Sequence, residues 1–150
     1  YETIGAGTGF FQHGHTYMGH PVAAAAGISV VSAILERGLI ARVNTQGAKL
    51  QAALHARFGQ HPHVGDIRGR GLFWGVELVA DRSTKAPFDP AQKIAAGIKA
   101  RAFQAGLICY PMSGTIDGRQ GDHILLAPPF IIEDAQIDEL VDKLATAIDL

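Results

Sequence analysis

Three histidines lie close together near the N-terminus, at His13, His15 and His20 in the segment FQHGHTYMGHP. Neutral imidazoles bind zinc, and the spacing H-x-H-x4-H allows the three rings to reach one ion. No cysteine or carboxylate accompanies them in this segment, however, and loose matches of this kind are common. The alternative is that the imidazoles hydrogen-bond the backbone of their own loop, and we therefore predict no metal site here.

Thr16 lies in the middle of the same segment, flanked by Gly14 and Gly19 and just ahead of an apolar run. A threonine hydroxyl can donate to an anionic oxygen, and the N–H groups at the start of a helix add to the attraction. Phosphate is the natural ligand for such a loop. The same position also suits an ordinary loop or helix-capping threonine, so spacing alone leaves both interpretations open.

The composition argues against several classes of partner. With 13 Lys and Arg against 14 Asp and Glu, the formal net charge of the 150-residue chain is −1, so we predict no surface for nucleic acid or for anionic lipid. A single cysteine, Cys109, cannot form an internal disulfide, which favours a reducing compartment and a cytoplasmic location. No apolar run reaches the roughly 20 residues of a membrane helix, so we expect no membrane partner.

The helices of the N-terminal half follow from hydrophobic periodicity. Residues 1–20, rich in glycine and aromatic residues without a period, are predicted to form an ordered loop. A helix is predicted from Pro21 to Arg37; it is apolar on nearly every side, so we expect it to be covered all round. A surface helix is predicted over Leu39–Phe58, with Ile40, Val43, Leu50, Leu54 and Phe58 on its apolar stripe and Arg42, Asn44, Gln46, Lys49 and Gln51 outside it.

The pattern then changes to short apolar runs that are typical of strands. We predict strands over Val64–Ile67 and Leu72–Val79, joined by a hairpin turn in the glycine-rich residues 68–71. The second strand alternates, which predicts that one face carries Leu72, Trp74, Val76 and Leu78.

The C-terminal half adds two helices and two strands. Asp89, followed by proline, predicts the start of a helix that reaches Gly106. Strands are predicted over Leu107–Tyr110 and His123–Ala127, and a final helix from about Asp134. The predicted fold class is therefore α+β, a small antiparallel sheet covered by helices.

Three blocks of sequence resemble the class III aminotransferases, which are pyridoxal-phosphate enzymes of fold type I. They are FQHGHTYMGHPVAAAAG, HVGDIRGRGLFWGVELV, and the stretch from GLICYPM to GDHILLAPPFIIEDAQIDELVDKL. The blocks follow the order of that family and cover nearly the whole chain. The resemblance implies that residues 1–37 are the end of the cofactor domain, with a phosphate-contacting loop and a linking helix. Residues 38–150 would then be the small C-terminal domain of a longer enzyme.

The resemblance also implies roles for individual residues. Thr16 matches the threonine that hydrogen-bonds the phosphate of pyridoxal 5'-phosphate from the neighbouring subunit of a homodimer, and the backbone N–H of His15 is expected at the same phosphate. The implied reaction transfers an amino group from an amine or amino acid to a keto acid. No catalytic residue is expected in this chain, because the Schiff-base lysine and the aspartate at the pyridine nitrogen lie upstream in the family pattern. We expect the chain alone to be inactive.

Substrate binding is predicted at two positions. Many relatives that act on carboxylated amines place an arginine shortly after the strand that begins GLI, where it can bind a carboxylate through two hydrogen bonds. Tyr110 occupies the matching place in this sequence, and Arg119, in the segment TIDGRQGDH, is the candidate to supply the charge instead. An exposed, solvated arginine is the ordinary alternative for Arg119.

A second class of function stays open on the sequence alone. The chain can also be a non-catalytic α+β module whose histidine segment binds a metal or another protein. The upstream sequence separates the two classes, since only the enzyme requires a cofactor lysine shortly before Tyr1.

Overall fold

The computed structural model describes residues 1–149 and divides the chain into two compact units, Tyr1–Arg37 and Gly38–Leu150. The first unit contains a short helix α1, Glu2–Ala6, and a long helix α2, Pro21–Glu36, joined by a loop. The prediction of a loop over residues 1–20 therefore missed α1. With five residues, α1 is too short to show a hydrophobic period.

Helix α2 starts at the predicted proline and ends one residue before the predicted Arg37, which caps it. None of its residues is buried, and only Ser32, Ala33 and Ile34 are half-buried. The prediction that this helix is covered all round is wrong for this chain. The physical reason is that its own unit contains no second element long enough to cover it.

The second unit is built on a four-stranded antiparallel sheet in the order β1-β2-β4-β3. Along β2 and β4 buried residues alternate with partly exposed ones, so one face of the sheet meets the core. Helices pack on the sheet, which makes the fold α+β as predicted. The strands are β1, Val64–Arg70; β2, Phe73–Leu78; β3, Tyr110–Ser113; and β4, Asp122–Leu126.

The turn between β1 and β2 lies further along the chain than predicted. Strand β1 extends through Arg70, so most of the predicted turn is strand, and the chain reverses at Gly71 and Leu72. Gly71 has φ +57°, a conformation that glycine adopts at little cost. The indole Nε1–H of Trp74 donates to the Gly71 carbonyl oxygen at 2.7 Å and holds the turn. The predicted inward face is confirmed, since Leu72, Trp74, Val76 and Leu78 are all buried.

The other two strands are shifted from their predicted bounds. Strand β3 begins at Tyr110, where the prediction had it end, and continues to Ser113. Its apolar predecessors Leu107, Ile108 and Cys109 have no strand assignment, because apolar character alone does not provide a hydrogen-bonding partner. Strand β4 starts one residue earlier than predicted and ends at Leu126.

Helix α3, Leu39–Phe58, has the predicted bounds, but two of its positions were misassigned. Ile40, predicted to lie on the apolar stripe, is 59% exposed, and Leu39 is buried instead. Gln46, predicted to lie outside the stripe, is only 3% exposed. Its Nε2 donates to the Ile132 carbonyl oxygen at 3.0 Å and to Asp134 Oδ1 at 2.9 Å, which offsets the cost of burying an amide. The other predicted positions Val43, Leu50, Leu54 and Phe58 are buried or half-buried.

The helix predicted from Asp89 to Gly106 is broken near its start. Asp89 caps a 3₁₀ turn, Pro90–Gln92, by accepting from Ala91 N at 2.9 Å. Lys93 then takes φ +52°, which cannot continue a helix, and helix α4 runs over Ile94–Gln104. The last helix, α5, covers Asp134–Ile148 and begins with a capping box.

Apolar side chains from the sheet and from α3, α4 and α5 form one buried core in the second unit. Within residues 1–149, no single helix is both long and apolar enough to span a membrane. Among these residues, only α2 and α3 counted together, with the break between them, have the length and apolar composition of a membrane span.

Candidate functional site

Thr16 lies in a loop made of two consecutive turns in the first unit. Met18 N donates to the His15 carbonyl oxygen at 3.0 Å, and His20 N donates to the Tyr17 carbonyl oxygen at 3.1 Å. Thr16 is thus the second residue of the first turn. Gly19, with φ +79°, allows the chain to turn again before α2.

The cap of α2 is supplied by His20 rather than by Thr16. Nδ1 of His20 accepts from Ala23 N at 3.3 Å, with Pro21 at the first helical position. The Thr16 side chain is exposed, and its hydroxyl has no hydrogen-bond partner within residues 1–149. A free hydroxyl shortly before a helix N-terminus fits an anionic group such as phosphate. Thr16 does not cap the helix, so a phosphate ligand and an ordinary loop threonine are the two interpretations that the structure leaves.

His13 and His15 bond to each other rather than to the loop backbone. Their Nε2 atoms are 3.1 Å apart, and the rings meet edge to face with centroids 4.7 Å apart. The expectation that these imidazoles bind their own backbone is therefore met only by His20. In the part of the chain that the structure describes, no group of three or more histidine, cysteine or acidic side chains is arranged to hold a metal ion.

Tyr110 lies in the second unit, at the end of β3 far from the β3–β4 loop. It pairs with Leu125 of β4, and its side chain is 60% exposed. Phe73, Ile108 and Leu125 line a shallow apolar depression of about 310 Å³ with it. The phenol therefore borders an apolar surface and offers an exposed hydroxyl, but no positive charge.

Arg119 lies in the ordered loop between β3 and β4. Oδ1 of Asp117 accepts from Arg119 N at 2.8 Å and from Gln120 N at 2.7 Å. These hydrogen bonds lower the pKa of the Asp117 carboxyl, and the one from Gln120 has the larger effect. The Arg119 side chain is exposed, and within residues 1–149 it has no ion-pair partner. Sequence reasoning missed the role of Asp117, although Asp-Gly is a strong turn signal.

The structure brings together some of the predicted site residues and separates others. His15 and Thr16 are neighbours in one turn of the first unit, whereas Tyr110 and Arg119 belong to the second unit. The length of β3 lies between Tyr110 and the loop of Arg119; at about 3.3 Å per residue they are at opposite ends of the hairpin.

Arg68, whose role the sequence left open, bridges two strands of the sheet. Its Nη1 donates to Asp66 Oδ2 at 2.7 Å and to Glu77 Oε2 at 3.1 Å. The hydrogen bond from Arg68 is the main reason that the pKa of the Asp66 carboxyl is lowered. The nearby Arg68 charge also adds to the effect of burial in lowering the pKa of His123. This arginine is already paired with two carboxylates, so it is a structural residue rather than a free anion ligand.

The lysines are surface groups. Lys49 pairs with Asp134 at 2.6 Å, and Lys143, which is half-buried, pairs with Glu139. Lys85, Lys93 and Lys99 are exposed. Within the described residues none is a buried amine of the kind that a covalent cofactor site requires.

Comparison with known proteins gives the same family over the whole chain. The family model for aminotransferase class-III matches residues 2–148. An uncharacterized aminotransferase of Schizosaccharomyces pombe is 46% identical over 140 residues, which cover 93% of this chain and 30% of that protein. The chain therefore spans about a third of the length of such a relative.

Solved structures agree in fold. A transaminase from the marine bacterium Virgibacillus superposes with a TM-score of 0.85 at 32% identity, over 98% of this chain and 32% of that one. A PLP-bound aminotransferase mutant from Vibrio fluvialis gives a TM-score of 0.81 at 33% identity, over 99% of this chain and 31% of that one.

Proposed function

The chain belongs to the class III aminotransferase family, and from this premise we propose that it is part of an enzyme that transfers an amino group from an amine or amino acid to a keto acid. The family model and the relatives support amino-group transfer. Because the chain spans only about a third of its relatives' length, the activity belongs to the longer protein. The observation that carries the proposal is the family match over residues 2–148, and the exposed Thr16 ahead of α2 is the feature that the experiment below tests.

Pyridoxal phosphate is the proposed cofactor, supported by the family and by the PLP-bound neighbour. When bound, it supplies an electron-withdrawing ring that accepts the electron pair left by proton removal from the substrate. In this chain, the Thr16 hydroxyl and the His15 backbone N–H are the groups proposed to bind its phosphate. The partial positive charge at the N-terminus of α2 favours an anion there.

We propose that this loop serves the neighbouring subunit of a homodimer. In support, every residue from Tyr1 to Val31 is exposed in the single chain, including the whole loop that carries Thr16. Residues 1–37 are proposed to end the cofactor domain, and residues 38–150 to form the small C-terminal domain. The boundary between the two compact units, after Arg37, agrees with this division.

The 150-residue chain is proposed to be inactive by itself. Its lysines are exposed or ion-paired, which supports a covalent anchor supplied by the rest of the enzyme. A cytoplasmic location is proposed on the single, half-buried Cys109, which suits a reducing compartment.

Arg119 is the proposed ligand for a substrate carboxylate, because its guanidinium is exposed and unpaired on an ordered loop. Tyr110 is proposed to contact the apolar part of a substrate beside the depression that it lines. The two residues would act on different substrate groups, since they lie at opposite ends of the β3–β4 hairpin.

Replacing Thr16 in the full-length enzyme tests the proposal. Thr16→Ala is expected to weaken cofactor binding about ten- to a hundredfold, since a hydrogen bond to a charged group is worth roughly 1.5–3 kcal/mol. Thr16→Ser keeps the hydroxyl and should bind nearly as well as the wild type. Cofactor release on dialysis, followed by absorbance, measures both. Equal retention by Thr16→Ala and the wild type would remove Thr16 from the site.

A further inference from the structure

A hydrogen bond joins His13 and His15 on the N-terminal side of Thr16 along the chain, with the two Nε2 atoms 3.1 Å apart. On the C-terminal side of Thr16, the two turns and the His20 cap connect the loop to α2. Gly14 between them has no side chain that could interfere with the two rings.

The His13 ring is itself held by its neighbours. His13 N donates to the Phe11 carbonyl oxygen at 2.9 Å, and the Phe11 and His13 rings pack with centroids 5.6 Å apart. Phe11, His13 and His15 thus form a short ladder of rings that ends next to Thr16. This row of rings limits the rotation of the His15 side chain, which lies next to the peptide that joins His15 to Thr16.

The contact between two imidazoles has a chemical requirement. One ring must donate its Nε2–H, and the other must accept at an unprotonated Nε2. No metal is needed for the two nitrogens to lie this close, because 3.1 Å is an ordinary hydrogen-bond distance.

We propose that His13 is a positioning residue: through its hydrogen bond to His15 it holds the His15–Thr16 peptide and the Thr16 hydroxyl in the orientation that binds the cofactor phosphate. This inference rests on the proposed function and assigns His13 a part in it. In this role His13 would not contact the cofactor, and its effect on cofactor binding would pass through His15.

The test uses the full-length holoenzyme and the dissociation constant of pyridoxal phosphate. His13→Phe keeps a ring of similar size against Phe11 but lacks the nitrogen, and it should weaken cofactor binding about three- to tenfold, as expected for one hydrogen bond. His13→Gln retains both an amide N–H donor and a carbonyl acceptor at a similar reach, so it can pair with His15 in either direction and should restore most of the affinity. His55→Phe is the matched control, since His55 is an exposed histidine of α3 in the other unit, and it should bind the cofactor like the wild type.

A double-substitution cycle separates positioning from a general loss of loop structure. If His13 acts through His15, the pair His13→Phe and His15→Phe should lose no more affinity than the larger single effect. Additive losses, or equal losses in His13→Phe and His13→Gln, would overturn the inference. The inference would also be overturned if His13→Phe bound the cofactor like the wild type while Thr16→Ala bound it more weakly. In that case the proposed function stands. An unchanged affinity in Thr16→Ala overturns both.

Discussion

The two units of this chain are stabilised by different interactions. In Gly38–Leu150, side chains from the sheet and three helices enclose a continuous apolar core. In Tyr1–Arg37 no residue is buried, and the structure consists of helical hydrogen bonds, turns and a capped helix start. The second unit thus has its own source of stability, whereas the shape of the first rests on local hydrogen bonds, which contribute little net free energy each. The proposed cofactor contact lies in the unit that has no core.

The largest expected difference between the units is in the cost of removing a leucine side chain. Leu144, in α5, is 0% exposed, and Leu35, in α2, is 72% exposed. Leu144→Ala should lower the free energy of unfolding of the 150-residue chain by about 2–5 kcal/mol, because it leaves a cavity. Leu35→Ala should change it by less than about 0.5 kcal/mol.

Urea unfolding followed by the fluorescence of Trp74 measures both leucine variants. A similar loss of stability in the two variants would contradict the difference between the units, since it would mean that α2 is packed in this chain. The same Leu35→Ala substitution in the full-length enzyme tests whether α2 is covered there. A larger cost there would show that the rest of the protein covers α2.

Alanine substitutions at two helical glycines are expected to change stability in opposite directions. A Cβ at Gly47 in α3 would lie 2.4 Å from the Gly71 carbonyl oxygen, so Gly47→Ala should destabilise the second unit by about 1–3 kcal/mol through overpacking. A Cβ at Gly27 in α2 would meet nothing within 4 Å, so Gly27→Ala should favour the helix by up to about 1 kcal/mol. Thermal unfolding measures the loss of stability in Gly47→Ala, and far-UV circular dichroism measures the gain of helix in Gly27→Ala. Loss of helix in Gly27→Ala would contradict the exposure of α2.

The smallest expected effect is a dependence of stability on pH in the second unit. Burial lowers the pKa of His61 and of His123 below the ordinary value of 6.5. The unfolded chain therefore binds more protons just below pH 6.5, so the stabilisation present above that pH is lost as the pH falls toward the folded-state pKa values.

Unfolding by urea at several pH values between about 5 and 7.5 measures this slope around the ordinary histidine pKa. His61→Gln should reduce it, because the variant removes one of the two groups whose pKa burial lowers. A slope unchanged in His61→Gln and in His123→Gln would contradict the assignment to these histidines.

The fold was predictable where nearby residues in the sequence determine the local structure. The bounds of α3, the start of α2 at Pro21 and the buried face of β2 all follow from periodicity and capping residues. A short element such as α1 was missed for lack of a period, and other errors lie where a distant partner decides. Gln46 is buried because Ile132 and Asp134, far along the chain, accept its hydrogen bonds.

The same distinction applies to the candidate site. The motif around Thr16 is readable from residue types, and in the structure Thr16 lies exposed in a turn. The bond between His13 and His15 was not predictable, because two histidines at this spacing can bind a metal, the backbone or each other. The separation of Tyr110 from Arg119 depends on the register of β3 with β4.

The sequence by itself determined the α+β class, most helix and strand positions, and the family, because these are recorded in local periodicity and in motifs. Only the tertiary structure decided where β1 turns, that α4 begins after Lys93, which polar side chains are buried, and which site residues are neighbours. The physical reason is that burial and hydrogen-bond pairing depend on residues brought together by folding, whose separation along the chain leaves no periodic signal.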